Sequence, residues 1–119
     1  MMLSFLLAAS LIIVDGDTLR ANGERIRLLG IDAPELRGCP EGRDCAPGNG
    51  QASKLSLQRS LGSPITIVPI TRDRYGRTVA IVYAAGLNLS WEQLRRRQAI
   101  YKREWDSGRR LAKECRYAR

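Results

Sequence analysis

The sequence of 119 residues contains no histidine and only three cysteines. The absence of histidine excludes nucleophilic catalysis of the Ser-His-Asp and Cys-His types, as well as ordinary catalytic zinc sites. Three cysteines are too few for a four-cysteine zinc site within one chain. Any chemistry must therefore rest on carboxylates, arginines, hydroxyl groups, or a hard metal ion held by oxygen atoms.

A hydrophobic run long enough to span a bilayer is also missing. The apolar stretch from Met1 to Val14 is too short, so we expect no stable membrane association. Ala8-Ala9-Ser10 resembles a signal-peptide cleavage site, but no Lys or Arg precedes the apolar run. We divide the chain into an apolar N-terminal segment, residues 1–10, and one domain, residues 11–119. Secretion or a periplasmic location is then about as well supported as a cytoplasmic one.

The cysteines leave the redox compartment open. Cys39 and Cys45 lie in a loop rich in proline and glycine, and Cys115 lies near the C-terminus. An oxidising compartment allows one disulfide, between any two of the three, whereas a reducing one leaves three thiols. Spacing alone does not choose among these pairings.

Acidic residues are few compared with basic ones. The chain has 20 Lys and Arg against 12 Asp and Glu, a net charge of +8 and a pI near 10.1. This excess is typical of proteins that bind polyanions such as nucleic acids, although a solubilising surface is the simpler explanation. The basic residues cluster at Arg95–Arg97 and near the C-terminus.

The hydrophobic pattern predicts strands first and helices later. Asn22-Gly23 separates two alternating runs and predicts a hairpin. Pro69 predicts an edge or a bulge in a later strand, and residues 36–50 form a long irregular loop. The pattern therefore favours an α+β, mainly β fold, a five-stranded barrel with about three helices. Predicted strands are 11–14, 18–21, 25–29, 65–70 and 79–83.

The predicted helices are placed by their capping signals. The first spans Gln51 to Leu61. Ser90-Trp91-Glu92-Gln93 fits a capping box, which predicts a second helix from Trp91 to about Ala99. A third begins at Asp106 or Ser107 and runs toward Arg116.

Acidic residues concentrate around two turns. Asp15 and Asp17 flank Gly16, and Asp32 is followed by Glu35. Such turns are more often structural, because Asp and Gly suit turns, but carboxylates at strand ends also suit a hard cation. Arg27 has the strand parity of Leu29, which predicts that it points inward and meets an anion. Together with Arg77, this set is what phosphodiester hydrolysis without histidine requires.

Three segments in order resemble the signature of the staphylococcal nuclease (thermonuclease) family. They are Val14-Asp15-Gly16-Asp17-Thr18, Arg27-Leu28-Leu29-Gly30-Ile31-Asp32-Ala33-Pro34-Glu35 and Asp73-Arg74-Tyr75-Gly76-Arg77. The resemblance covers about residues 11–99. It implies a five-stranded OB-fold barrel with three helices, and calcium-dependent cleavage of DNA and RNA that leaves 3′-phosphates. It also implies a monomer that favours single-stranded substrates.

The resemblance implies a role for each residue of the site. Ca²⁺ would bind Asp17, Asp32 and the backbone carbonyl of Ala33, with Asp15 supporting the site from behind. Glu35 would activate the attacking water, and Arg27 and Arg77 would bind the phosphate. Tyr75 and Arg74 would contact the substrate.

The chain also departs from the family pattern. Ala33 replaces a threonine, which a carbonyl ligand tolerates, and the loop at 36–50 has its own sequence with two cysteines. Tyr101 and Trp105 are candidates for a contact with the nucleobase, but each is more simply explained as a packing residue. The rival functions are a catalytically silent nucleic-acid-binding module of the same fold and a purely structural protein. The latter leaves the carboxylates and arginines unexplained.

Overall fold

The chain was analysed as a computed structural model, in which the structure describes residues 4–6 and 11–119. Three α-helices and nine short strands make up the regular structure of this part. The strands are β1 (Ser4–Leu6), β2 (Leu11–Asp15), β3 (Thr18–Ala21), β4 (Glu24–Leu28), β5 (Ile31–Asp32), β6 (Ile65–Arg72), β7 (Thr78–Ala84), β8 (Leu87–Asn88) and β9 (Ile100–Tyr101). The helices are α1 (Gly50–Arg59), α2 (Leu89–Arg95) and α3 (Arg110–Glu114), and 3₁₀ turns span Arg103–Trp105 and Ser107–Arg109.

Seven strands form one sheet and two form a separate ladder. The order in the main sheet is β1-β6-β7-β4-β3-β2, with β8 on β7, and β5 pairs with β9. Only β4 and β7 run parallel among the described pairs. The fold is therefore mixed α+β and mainly sheet, as predicted. The pairings of the described strands leave β1 and β2 at opposite ends of the path, so closure into a five-stranded barrel stays a prediction.

The predicted hairpin at Asn22-Gly23 is confirmed. Both residues have positive φ, 51° and 84°, which Asn and Gly tolerate better than other residues. The hairpin sets the register of β3 and β4 so that Thr18 lies opposite Arg27. Because of this register, Asp17, which precedes Thr18, lies close to Arg27 on β4.

The core lies between the sheet and the helices. Alternate residues of the strands, such as Leu19, Ile26 and Leu28, are fully or almost fully buried, and Leu57 of α1 and Leu89 of α2 pack against them. The strand β6 is longer than predicted, and its register against β7 shifts between Pro69 and Thr71. This shift confirms the bulge, because proline cannot donate a ladder hydrogen bond.

The predicted capping box at Ser90 is wrong. Asn88 caps α2, since its side-chain oxygen accepts from the backbone N–H of Trp91. The buried Ser90 hydroxyl instead donates to the Leu29 carbonyl, and Gln93 donates to the Gly16 carbonyl. Both side chains of the expected capping box thus form tertiary hydrogen bonds instead of capping the helix. The helix α2 also ends at Arg95, earlier than predicted.

The other two helices differ from prediction mainly at their ends. The helix α1 begins one residue early, with the Asn49 side chain accepting from the N–H of Ala52. The third helix is interrupted, because Gly108 and Arg109 have positive φ. Asp106 nevertheless acts at its start as predicted, accepting from the N–H groups of Leu111 and Ala112.

Cys39 and Cys45 form a disulfide, and Cys115 is buried with a free thiol. The structure therefore takes one of the pairings that the sequence left open, the one that closes the loop on itself. The strand β1 pairs with β6 from within the N-terminal segment, whereas residues 7–10, with the candidate cleavage site, lie outside the described residues. No helix within the described ranges is long and apolar enough to cross a membrane.

Candidate active site

The Asp15-Gly16-Asp17 turn follows β2 and is held by its own carboxylates. Asp15 Oδ1 accepts from the backbone N–H of Asp17 at 3.1 Å, and Asp17 Oδ2 accepts from the N–H of Ala33 at 2.8 Å. Glycine is needed between them because a Cβ at Gly16 would lie 2.8 Å from that of Ala33 and closer still to Ser53. The turn is thereby tied to the segment that follows β5.

Arg27 points inward, as its strand parity predicted. Its Nη1 lies 3.7 Å from Asp17 Oδ2 and its Nη2 lies 3.9 Å from Asp32 Oδ1, and all three side chains are nearly buried. Nη2 also donates to the Ile31 carbonyl at 3.0 Å. One guanidinium thus stands between two carboxylates that come from separate turns.

Two carboxyl groups of the site have raised pKa values. Burial, followed by the charge and hydrogen bonding of Asp17, raises the pKa of Asp15 to about 7. Burial, followed by the charge of Asp17, also raises the pKa of Asp32, although Arg27 opposes the shift. The charge of Glu35 contributes to both shifts. The four acidic residues are therefore near enough to repel one another, and a cation would relieve this repulsion.

These carboxylates do not form a tight cluster. No group of three His, Cys, Asp or Glu side chains could hold a metal ion among residues 4–6 and 11–119. Asp17 and Asp32 are the pair that share a partner, since both lie within 4 Å of Arg27. Side chains alone therefore offer two carboxylates, and further ligands would have to be backbone carbonyls or water.

Arg77 is fixed by the turn that precedes β7. Asp73 Oδ1 accepts from the N–H groups of Tyr75 and Arg77, and its Oδ2 accepts from Arg77 Nε at 2.7 Å. Burial alone would raise the pKa of Asp73, but the Arg77 hydrogen bonds and charge outweigh it and lower the pKa. Asp73 thus holds the guanidinium by Nε, and the terminal nitrogens of Arg77 have no partner among the described residues.

A cavity of about 760 Å³ joins the two arginines. Five of the predicted site residues line it, whereas Asp15, Asp17, Ala33 and Glu35 do not. The five are Arg27, Asp32, Arg74, Tyr75 and Arg77. The structure therefore brings together the predicted phosphate-binding and substrate-contacting residues with one predicted metal ligand.

Glu35 lies at the start of the irregular loop. Its Oε1 is 3.4 Å from Arg43 Nη2, and Arg43 lines the cavity. The disulfide-closed part of the loop contains Arg43, whose backbone carbonyl also contacts Cys39 Sγ at 3.2 Å. Gly50 packs under Glu35, since a Cβ there would lie 2.6 Å from the Glu35 carbonyl carbon. The loop and the first residue of α1 thus fix the position of Glu35.

One aromatic side chain of the cavity lies against Arg27. Trp105 lines the cavity, is 38 % exposed, and has the guanidinium carbon of Arg27 4.4 Å from its ring centroid. The sequence favoured a packing role for Trp105. Its 3₁₀ turn has no sequence pattern that would have indicated a position in the cavity wall. Tyr101 does pack against the core, and its hydroxyl donates to Asp106 at 2.6 Å.

Tyr75 and Arg74 form the exposed rim. Tyr75 is 58 % exposed, and its hydroxyl accepts from Arg74 Nη2 at 2.9 Å. The guanidinium carbon of Arg77 lies 5.5 Å from the Tyr75 ring centroid. The Tyr75 ring is thereby placed beside the arginine that borders the cavity.

The fold and this arrangement define a small mixed α+β domain with a carboxylate–arginine site suited to phosphate chemistry. Comparison with family models gives the particular family. The model described as staphylococcal nuclease homologue matches residues 25–118. The chain belongs to this family, as the three signature segments predicted.

The chain is also similar to two curated proteins. The chain is 38 % identical over 76 residues to the succinoglycan biosynthesis protein ExoI of Rhizobium meliloti (strain 1021), covering 61 % of this chain and 40 % of the relative. It is 31 % identical over 98 residues to the probable staphylococcal-like nuclease CAN1 of Oryza sativa subsp. japonica, covering 82 % of this chain and 27 % of the relative. The chain thus spans less than half the length of either relative.

Proposed function

We propose that this domain is a calcium-dependent nuclease that hydrolyses phosphodiester bonds of DNA and RNA with little sequence preference and leaves 3′-phosphate ends. The observation that carries the proposal is the cavity that Arg27 and Arg77 line together with the buried Asp32. Family membership and the nuclease-named rice relative support the same chemistry. We assign the activity to residues 11–119, acting as a monomer on single strands by preference.

The donor set fits calcium. Every candidate ligand is an oxygen atom, as hard cations require. Each Asp17 oxygen accepts one hydrogen bond, which leaves further lone pairs, and Asp32 accepts none from the described residues. Asp17, Asp32 and the Ala33 carbonyl would hold the ion, with Asp15 supporting the Asp17 backbone. When bound, calcium would neutralise the charge that develops on the phosphate.

The two arginines would bind the scissile phosphate from either side of the cavity. Arg27 is held by its carboxylate neighbours, and Arg77 is held at Nε by Asp73. Fixed guanidinium groups can stabilise the charge of the transition state without first reorganising. Arg77 is also the group that we expect to assist the leaving oxygen, because its terminal nitrogens are free of partners in the described part of the chain.

Glu35 would accept a proton from the attacking water. Its side chain is 30 % exposed, so water can reach the carboxylate. The ion pair with Arg43 is an exposed one and therefore weak, so it can yield when substrate enters. Tyr75 and Arg74, at the exposed rim, would contact the nucleotide beyond the scissile phosphate.

A silent nucleic-acid-binding module is the second candidate. It is consistent with the ion pairs of Arg27 with Asp17 and Asp32, because a structural role for these side chains would produce the same contacts. The relative named for succinoglycan biosynthesis carries no nuclease activity in its name. Binding without cleavage would be the signature of this candidate.

The deciding experiment is digestion of single-stranded DNA with Ca²⁺, with Mg²⁺ and with a chelator, comparing the wild type with Glu35→Gln. We expect cleavage that requires Ca²⁺, yields 3′-phosphate ends, and falls by orders of magnitude in the variant. Circular dichroism would verify that the variant folds. Binding of the oligonucleotide without cleavage in any metal would establish the silent module instead.

A further inference from the structure

A second cavity borders strand β9 and has no role in the proposed chemistry. It has a volume of about 400 Å³, and Arg97, Ile100, Tyr101, Tyr117 and Arg119 are among the residues that line it. Ile100 pairs with Asp32, and Tyr101 pairs with Ile31. Since Asp32 lines the candidate active site, residues of this one two-stranded ladder border both cavities.

The charge of this second cavity is entirely positive. Arg97 and Arg119 are exposed, and no acidic side chain from the described part of the chain lines it. Neither arginine has an ion-pair partner among these residues, and Arg119 donates only through Nε, to the Arg116 carbonyl. By contrast, Arg95 and Arg96 nearby are both ion-paired with Glu92. Two unpaired guanidinium groups at one cavity suit a ligand with spaced negative charges.

The walls of the cavity are aromatic and aliphatic. Tyr117 is 37 % exposed, and its ring lies 6.1 Å from that of Trp91 at an angle of 56°, which holds it in place. The guanidinium carbon of Arg116 lies 5.3 Å from the same ring centroid. Ile100 is 38 % exposed. A flat apolar ligand could therefore rest against Tyr117 and Ile100 with its charges on the arginines.

We propose that this cavity is an accessory binding site for single-stranded nucleic acid, through which the strand continues after it leaves the candidate active site. Arginines that track the backbone beside an aromatic ring that stacks a base are the means by which proteins bind single strands. The proposal gives the basic C-terminal residues a role, and it rests on the proposed function for the identity of the ligand.

The test measures binding separately from cleavage. A fluorescent single strand of about twelve nucleotides, within the range of single-strand site sizes, is titrated with protein in chelator, so no hydrolysis occurs. The variant is Arg97→Gln with Arg119→Gln. The matched control is Arg20→Gln with Arg59→Gln, two exposed arginines that have no ion pair with a described residue and that line neither of the two cavities.

We expect the variant to bind the strand about tenfold more weakly than the control. The slope of log affinity against log salt should become less steep by about 1.4, which is two contacts at 0.7 each for a single strand. Binding of a dinucleotide, followed by NMR, should not change, because it fills the active-site cavity alone. Tyr117→Ala should weaken binding of the longer strand without changing the salt slope.

Equal affinity and equal salt slope in variant and control would overturn the inference. Loss of dinucleotide binding would also overturn it, because the two arginines would then belong to the first cavity. An equal loss for a duplex would overturn the assignment to single strands. Failure of the wild type to cleave DNA in calcium would refute the nuclease, but it would leave these binding results intact.

Discussion

The guanidinium carbon of Arg27 lies 4.4 Å from the centroid of the Trp105 ring. Lys102 Nζ is 5.2 Å from the same centroid, so the ring contacts two cations. A cation over a tryptophan face is stabilised by about 0.5–2 kcal/mol, depending on how far it is desolvated. Because Arg27 is nearly buried, its guanidinium is held both by the two carboxylates and by the Trp105 ring.

Trp105→Ala should therefore slow cleavage without unfolding the domain. We expect the free energy of unfolding to fall by about 0.5–2 kcal/mol, the cation–π energy that is lost. Because Arg27 is then less firmly held, kcat should also fall, by up to about thirtyfold, the equivalent of the upper value. Trp105→Phe should recover most of the rate, because phenylalanine also offers a ring face. Equal losses in Trp105→Ala and Trp105→Phe would mean that the indole contacts substrate rather than positions Arg27.

Asp73 should make the stability of the domain depend on pH in the acid range. Its folded pKa is lowered, so its stabilising effect is complete above the ordinary aspartate value of about 3.9 and disappears as pH falls through the folded pKa. The free energy of unfolding of Asp73→Asn should thus be below that of the wild type near neutral pH. The two should converge below about pH 4, as urea unfolding would show.

The matched control for this variant is Asp44→Asn, which removes an exposed carboxylate from the same cavity. It separates the loss of a charge from the loss of the three hydrogen bonds that Asp73 accepts. This explanation would be contradicted if the difference in free energy of unfolding between the wild type and Asp73→Asn stayed constant from neutral to acid pH.

Gly50→Ala should disturb Glu35 through the backbone. The new Cβ would lie 2.6 Å from the Glu35 carbonyl carbon and 2.7 Å from Leu36 Cα, so the loop must move. We expect the free energy of unfolding to fall by about 1–3 kcal/mol, which is typical of overpacking. The loss of activity should exceed the loss of folded protein that this destabilisation causes, because Glu35 is displaced. Gly62→Ala is the control, since its Cβ would approach Ala85 Cβ only to 3.3 Å. Full activity in Gly50→Ala would show that Glu35 is not held by this contact.

Local rules predicted the elements that depend on neighbours in sequence. The Asn22-Gly23 hairpin and the Pro69 bulge followed from φ preferences and the missing proline N–H. The inward direction of Arg27 followed from strand parity, and the hairpin then placed it near Asp17. These features needed no knowledge of distant contacts.

Features that depend on distant contacts were not predictable in the same way. Ser90 and Gln93 carry a capping-box pattern, yet they bond Leu29 and Gly16, which are far away in sequence. Trp105 joins the cavity because the turn after β9 folds back onto β4, and no periodicity encodes this return. The choice of Cys39 with Cys45 likewise depends on the path of the loop.

Calcium should raise the melting temperature if Asp17 and Asp32 hold it. An ion that binds the folded state alone stabilises it by about 2.7 kcal/mol at about a hundred times its dissociation constant. Asp32→Asn removes one of two carboxylates and should abolish most of this stabilisation, whereas Asp44→Asn should keep it. Thermal unfolding with Ca²⁺ and with chelator measures both without any nuclease assay.

This experiment tests the metal site without an activity assay. A calcium shift of equal size in Asp32→Asn and in the wild type would place the ion elsewhere and remove Asp32 from the ligand set. Absence of any shift in the wild type would leave Asp17 and Asp32 with structural roles, the Arg27 ion pairs and the hydrogen bonds that Asp17 accepts. Those pairs are what the silent binding module requires, so this result would favour the module over the nuclease.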